Sequence, residues 1–466
     1  MFNLQLINEI QCSKKIFGEI KSLDVEISTD SRNFRKGQLF LALKGDNFDG
    51  ASYVEDVLKA GASGIIFTGK SLSDDKLRDF TEKFKETIFV ETADTLIFLQ
   101  EMARARREQW CRISASKKIL GITGSNGKTT TKEMVKFFLE QIFGEKVCST
   151  RGNLNNHIGV PLSILSVRDS DEVLLIEMGT NHMGEIQALC DIAKPDAGII
   201  TNVGGAHIEF FKSNENIFKE KSSLFYSVMN KTENKGIFVL NFDNPYLKTL
   251  EEYENIISFG ENAGRVRLEI GNASVKLSEE TIIELSCKNI LEPFNWINFV
   301  AAYLLVSHVY PEKKDLLVKS CPKFKLPNNN RTQRYQLNGK DIYLDAYNAN
   351  PASMKASIES FVRIINTEKR DINSYLFVLG DMYELGEQAK EEHQSIGILL
   401  KNLGIKNAYF VGQYAGDYIS GFGHGAKEFK TRNDLKEQWC NLVSKFDGIF
   451  IKASRGLALE SLMDER

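Results

Sequence analysis

From Lys118 onward, runs of apolar residues that fit strands alternate with runs of helical period. KILGIT is followed by TKEMVKFFLEQIF, EVLLIEMG by GEIQALCDIA, and then come AGIITNVG and GIFVLN. A strand covered on both faces reads as continuously apolar, so this alternation predicts a mostly parallel sheet with helices on either side. Residues 266–287 instead alternate apolar and polar side chains, which predicts a solvated antiparallel hairpin, and a helix is expected again over 295–309. Strands expected at 342–346, 375–380, 408–411 and 448–452 predict a further doubly wound unit. Ahead of residue 105, short runs at 38–43 and 64–67 lie among loops rich in Gly, Asp and Ser, the pattern of a small α/β domain.

Two interruptions divide the chain. One is the polar, basic stretch RARREQWCRISASKK at 104–118, and the other is the turn at Tyr310 and Pro311. The expected fold is therefore α/β in three domains: a small α/β N-terminal domain (1–105), a central domain on a mostly parallel sheet (106–311), and a C-terminal Rossmann-like α/β domain (312–466). The length of 466 residues suits that number at ~100 to 200 residues per domain.

Composition removes several function classes. With 42% hydrophobic and 26% charged residues the chain has the makeup of a globular protein. Lys plus Arg is 59 against 62 for Asp plus Glu, so no global field draws it to nucleic acid or to a membrane surface. The seven cysteines are scattered, odd in number and without a C-x-x-C pair, which predicts reduced thiols rather than a zinc site or a disulfide framework. The N-terminus lacks the order of a signal peptide, and the most apolar later segment, 299–306, is far short of the ~18 residues of a membrane span. A cytoplasmic protein is expected, with no nucleic-acid partner and no membrane span.

The sharpest chemical signal is GITGSNGKTT at 121–130, directly after a strand and before an amphipathic helix. Such a loop aims backbone N–H groups and a helix N-terminus at phosphate oxygens, so Gly124, Ser125, Asn126, Gly127, Lys128, Thr129 and Thr130 are read as a nucleotide cradle. Lys128 would meet the β and γ phosphates of ATP, and the Thr129 hydroxyl would hold Mg2+. Ile122 stands where the common form has glycine, so the match is to the shorter T-G-x-x-G-K-T-[ST]. Three more segments close expected strands: NLNNHIGVP at 153–161, EMGTNHMGE at 177–185 and NVGGAH at 202–207. A carboxylate from Glu177 and an imidazole from His207 suit a second Mg2+. GFGHG at 421–425 has its third glycine one residue early for a dinucleotide loop and is read as a turn.

Taken together, GSNGKTT, NLNN with IGVP, Glu177 with Asn181 and His182, Ala206-His207, and DAYNANP at 345–351 resemble the Mur ligase family. The similarity covers essentially the whole chain, from TDSR at 29–32 to GDMYELG at 380–386 and KASR at 452–455. Within the family, the 345–351 motif is most similar to members that join D-Ala-D-Ala to UDP-MurNAc-tripeptide through an acyl phosphate. The resemblance implies those two compounds as substrates, ATP with two Mg2+ ions, and a protein acting as a monomer. It implies that Ser31, Arg32, Lys44 and Gly45 meet the nucleotide-sugar, and that Asn156, Thr180, Asn181 and His182 line the path to the reacting carboxylate. Asn348 would lie on the amino-substrate side. Metal ligands by resemblance are Thr129, Glu177 and His207, with a carbamylated lysine best matched by Lys221, although Lys219 is near enough to leave the register open. Asn295 and Asn298 would contact the adenine side, Arg331 the phosphates and Asp345 the ribose. This chain has Phe294 where relatives have His, Asn330 where they have Gly, and Leu344 where they have an acid. The competing readings are a family member that adds the third peptide residue, and a P-loop nucleotide-binding protein without ligase activity.

Overall fold

The computed structural model describes residues 2–463 apart from 13, 46, 47, 70, 206, 207, 251, 252, 254, 279, 280, 328 and 329. The first unit is a five-stranded sheet in the order Lys14–Phe17, Ile88–Thr92, Gly64–Thr68, Leu39–Leu41, Ile27–Ser28. Its strands run parallel except for the first pair. Helices Val54–Lys59 and Asp74–Lys83 bury Val57, Leu58, Leu77 and Phe80 with Ile65 and Phe67 of the sheet.

The basic stretch at 104–118 is not a linker. Most of it belongs to helix α1 (Thr95–Ile113), whose first turn is capped by the Asp94 carboxylate accepting from the Leu96 and Ile97 N–H groups. Arg106 is only 3% exposed because its guanidinium donates to the Val167 carbonyl at 2.7 Å and to Asp169 at 2.8 Å. Trp110 is fully buried and donates to the Asp171 carbonyl at 3.1 Å. Bonds of this kind offset much of the cost of burying such groups, although the Arg106 Nε itself is buried without a partner. α1 thereby places its apolar face in one core that includes Leu41 and Val90 of the first sheet and Ile119 and Leu174 of the next.

The central unit is a nine-stranded sheet. Its core elements are β1 (Lys118–Thr123), α2 (Lys128–Phe143), β2 (Val173–Glu177), α3 (Glu185–Ala193), β3 (Ala197–Ile200), α4 (Asn214–Lys231) and α5 (Pro293–Val309). β1 lies between β2 and β3, parallel to both, with Ile122 opposite Glu177 and Thr123 opposite Ile200. The carboxyl ends of the three strands therefore finish at one level, where α/β sheets bind ligands. The hairpin expected at 266–287 is instead a three-stranded meander, Val266–Ile270, Ser274–Ser278 and Ile282–Ser286, which extends this sheet. Alternation continues unchanged through a chain reversal, so the pattern alone does not count strands. Beyond residue 311, helix Lys314–Ser320 and Phe324 still pack into the core built by α2 and α5.

The last unit has six strands in the order Gln333–Leu337, β4 (Lys340–Asp345), β5 (Gly448–Lys452), Tyr375–Gly380, Ala408–Val411, Lys427–Phe429, parallel after the first pair. Helix α6 (Pro351–Thr367) follows β4 and is capped by Asn350, whose side chain accepts from the Ser353 N–H while Ser353 accepts from the Asn350 N–H. Cys12, Cys111, Cys148, Cys190, Cys287 and Cys321 are free thiols. Among the described residues no helix is long and apolar enough to cross a membrane.

Candidate active site

The loop between β1 and α2 is shaped by two glycines. A Cβ on Gly124 (φ +147°) would lie 1.8 Å from the Thr201 hydroxyl, and one on Gly127 (φ +80°) 2.8 Å from the Asn298 side-chain oxygen. The end of β3 clamps the loop. Ser125 N–H donates to the Asn202 carbonyl at 3.0 Å, Asn126 N–H to the Asn202 side chain at 2.9 Å, and the Thr201 hydroxyl to the Asn126 carbonyl at 2.6 Å. The first backbone bond of α2 runs from Thr131 N–H to the Gly127 carbonyl. The N–H groups of Gly127, Lys128, Thr129 and Thr130 are thus the unpaired donors of a helix start, a ready anion site.

Lys128 donates to the Gly124 and Ser125 carbonyls at 2.7 and 3.2 Å. Burial lowers its ammonium to about 8, with Glu177 opposing the fall and Arg331 adding to it. An incoming phosphate would reverse that shift by supplying the missing negative charge.

Glu177, at the end of β2, is 1% exposed and carries the second element of the site. One oxygen accepts from Thr129 Oγ1 at 3.0 Å and Asn155 Nδ2 at 2.9 Å, while the other, Oε2, is buried with no partner. A buried carboxylate oxygen left unpaired is costly. Next to the Thr129 hydroxyl, it fits a hard divalent cation such as Mg2+. Asn155 was missed in favour of its neighbour Asn156, whose Oδ1 accepts from Ile158 and Gly159 N–H and turns the chain into the following helix.

Lys221 lies on the buried face of α4. Burial, with the Lys128 charge adding to it and Glu220 opposing, holds its amine far below an ordinary lysine. Lys219 of the same helix is not among its buried residues. Glu220 was not anticipated; it accepts from Gly184 N–H at 2.6 Å and Ile186 N–H at 2.7 Å, fixing the start of α3. Thr180 donates to the same carboxylate at 3.2 Å. Asn181 and His182 give their N–H groups to Glu185, and the His182 ring lies exposed against Phe210, their centroids 5.3 Å apart. His207 lies outside the described residues.

The C-terminal unit supplies the opposite wall. Asn350 donates to the Asn126 side-chain oxygen at 2.7 Å, tying the 345–351 segment to the phosphate loop. The Arg331 guanidinium stacks on Tyr347 at 3.8 Å, and its buried Nε has no partner. Asp345 is bonded by Lys452 at 2.5 Å and by Ser357 at 3.0 Å, so its carboxylate is already neutralised from within its own unit. Asn295 donates to Glu292 at 2.9 Å and to Thr332 at 3.3 Å, and Tyr343 donates to the same Glu292 at 3.1 Å. Burial pushes the Glu292 carboxyl up, with the Asn295 and Tyr343 bonds opposing.

These walls enclose a cavity of about 590 Å³. The sequence-selected residues Ser125 to Thr130, Asn156, Glu177, Thr180, Asn181, Asn295, Asn298, Arg331, Asp345 and Asn348 all line it. Gly124 and Lys221 lie outside its lining, as does His182. Ser31, Arg32, Lys44 and Gly45 belong to the first unit. There Arg32 is held by a two-point contact with Asp30, whose carboxyl the arginine bonds pull down to about 2, and Lys44 lies 3.7 Å from Asp49.

Three family models match in order: the Mur ligase family, catalytic domain, over residues 25–107; the Mur ligase middle domain over 122–306; and the Mur ligase, glutamate ligase domain over 330–455. The chain is 30% identical to a UDP-N-acetylmuramoyl-tripeptide--D-alanyl-D-alanine ligase of Bacillus subtilis, across 94% of this chain and 92% of that protein. Among solved structures, a MurF crystal structure from Acinetobacter baumannii matches with a TM-score of 0.83 and 27% identity, covering 99% of this chain and 98% of that one. MurF ligase from Thermotoga maritima in complex with ADP matches with a TM-score of 0.76 and 27% identity, covering 94% and 96%.

Proposed function

The chain belongs to the Mur ligase family, and from that premise we propose that it is the ATP-dependent ligase that joins D-Ala-D-Ala to UDP-MurNAc-tripeptide, giving the pentapeptide precursor of peptidoglycan. The observation that carries the reading is a single cavity whose floor is the phosphate loop and whose facing wall is the 345–351 segment, joined by Asn126 and Asn350. A phosphate-transfer enzyme alone has no need of that second wall. One chain supplies both walls, which favours a monomer.

The tripeptide carboxylate attacks the γ phosphorus of ATP, and ADP leaves. The amine of D-Ala-D-Ala then adds to the acyl phosphate carbonyl and loses a proton, and phosphate departs with the closing of the amide. Neither step requires a protein nucleophile, so catalysis rests on placement and charge neutralisation. Lys128 and the first-turn N–H groups of α2 hold the phosphates, and Arg331 faces them from the C-terminal wall. Thr129, Glu177 and His207 would hold Mg2+, which would supply positive charge to neutralise the phosphates. The first unit would grip the UDP end through Ser31, Arg32, Lys44 and Gly45. Substrates of this kind place the reaction in the cytoplasm.

Lys221 fits carbamylation because burial, with the Lys128 charge adding to it, disfavours the ammonium and so favours the neutral amine, the form that adds CO2. A new N–C bond forms, the neutral amine gives up one proton, and the side chain becomes an anionic oxygen donor. Isotopically labelled bicarbonate should give a carbamate carbon signal that disappears in Lys221→Ala but persists in Lys219→Ala; the reverse pattern would move the site to Lys219.

Function itself is tested by phosphate release with ATP, Mg2+, UDP-MurNAc-tripeptide and D-Ala-D-Ala, omitting each in turn. Release should need all four. Release that is indifferent to the dipeptide would point to simple nucleotide hydrolysis and remove the ligase reading.

A further inference from the structure

The stretch at 452–455 contributes Lys452 to the Asp345 pair, but its arginine plays no part in the mechanism above. Arg455 reaches the same tyrosine as Arg331. The Tyr347 ring has the Arg331 guanidinium carbon at 3.8 Å from its centroid and that of Arg455 at 4.9 Å, and Arg455 Nη1 donates to the Tyr347 hydroxyl at 3.1 Å. Among the described residues no carboxylate pairs with either guanidinium. Two like charges gathered on one ring repel each other unless anions neutralise them.

The other cations around the cavity are committed. Lys128 and Arg331 face the phosphates, and the Lys452 ammonium is taken up by Asp345 and the Asn348 carbonyl. Arg455 is exposed beside the cavity wall formed by Tyr347 and Asn348, and most of its five N–H donors are unused. Its backbone is held firmly. Ser454 N–H donates to the Asp381 carbonyl at 3.2 Å, Ser454 Oγ accepts from Tyr383 N–H at 3.1 Å, and a Cβ on Gly456 would lie 2.7 Å from the Tyr383 ring. A planar fork on a fixed base is well suited to a carboxylate.

We propose that Arg455, braced on Tyr347, binds the C-terminal carboxylate of the incoming dipeptide. This rests on the ligase reading and deepens it. An extended dipeptide spans about 7 Å. With its carboxylate on Arg455, its amine points inward past Tyr347 toward the phosphate side of the cavity. The site thereby selects a free C-terminal carboxylate in the amine substrate.

The test compares D-Ala-D-Ala with its C-terminal amide in the unaltered enzyme, Arg455→Met and Arg455→Lys. In Arg455→Met the KM for the dipeptide should rise about 10- to 100-fold, the range of one charge-assisted bond pair. The KM for ATP and for the UDP-tripeptide should stay the same, and dipeptide and amide should become equivalent substrates. Arg455→Lys should recover part of the preference. An Arg455→Met enzyme that still prefers the dipeptide by the original factor, or that loses affinity for all three substrates alike, would overturn the proposal. Absence of any dipeptide-dependent phosphate release from the unaltered enzyme would remove the ligase reading, and the proposal with it.

Discussion

Lys128→Ala should lower the rate of ATP-dependent phosphate release by at least about 100- to 1,000-fold, the cost of deleting one preorganised donor to a developing charge. The effect belongs to the chemical step, because the ammonium is the charged group that the phosphate loop itself carries into the cavity. Its present partners are two carbonyls of that loop, at 2.7 and 3.2 Å, so the side chain waits on neutral acceptors until phosphate arrives. Circular dichroism and the melting temperature should change little. Activity within tenfold of the unaltered enzyme would remove the phosphate-loop argument.

The largest stability effect is expected at Asp341, far from any chemistry. It is 2% exposed and accepts from Arg334 at 2.6 Å, Arg370 at 2.7 Å and the Tyr375 hydroxyl at 2.9 Å. Burial alone would raise its carboxyl, but the Arg334 and Tyr375 bonds and the charges of Arg334 and Arg370 more than offset that and hold it below the usual range. Asp341→Ala removes the carboxylate shared by both guanidinium groups and leaves Glu368 as their remaining anionic partner, so about 3 kcal/mol of unfolding free energy should be lost. Because the folded carboxyl is the stronger acid, the contribution is complete above the unfolded value of ~3.9 and disappears as pH falls through the lower folded value. Denaturant melts should therefore show a gap between the two proteins that is constant from pH 7 down to the unfolded value and narrows below it; a gap that does not narrow in acid would show that packing, not charge, is responsible.

The strands at 118–123, 375–380, 408–411 and 448–452 were legible because both faces of each are covered, so the chain writes them as unbroken apolar runs. The α/β class followed from their alternation with helices. α1 was not legible, since Arg106 and Arg107 read as solvated until carbonyls from residues 167 and 192 are seen to meet them. The cavity residues of the phosphate loop were visible as a contiguous motif. Asn155, Glu220, Asn350 and Tyr347 were less so, because their roles depend on partners across the fold. Asp345 illustrates the limit. Its place on the cavity wall is set by the motif, whereas its pairing with Lys452, more than a hundred residues on, is set by the adjacency of β4 and β5.

The single core that α1 seals also decides where the chain divides for fragment work or gene fusion. A cut between residues 105 and 106 would sever a continuous helix and expose Trp110 and Met102 to water at once. The first two sheets share that core and are best kept together in a fragment. The C-terminal sheet, with its separate cores around Phe361 and Ile451, is the natural module to exchange.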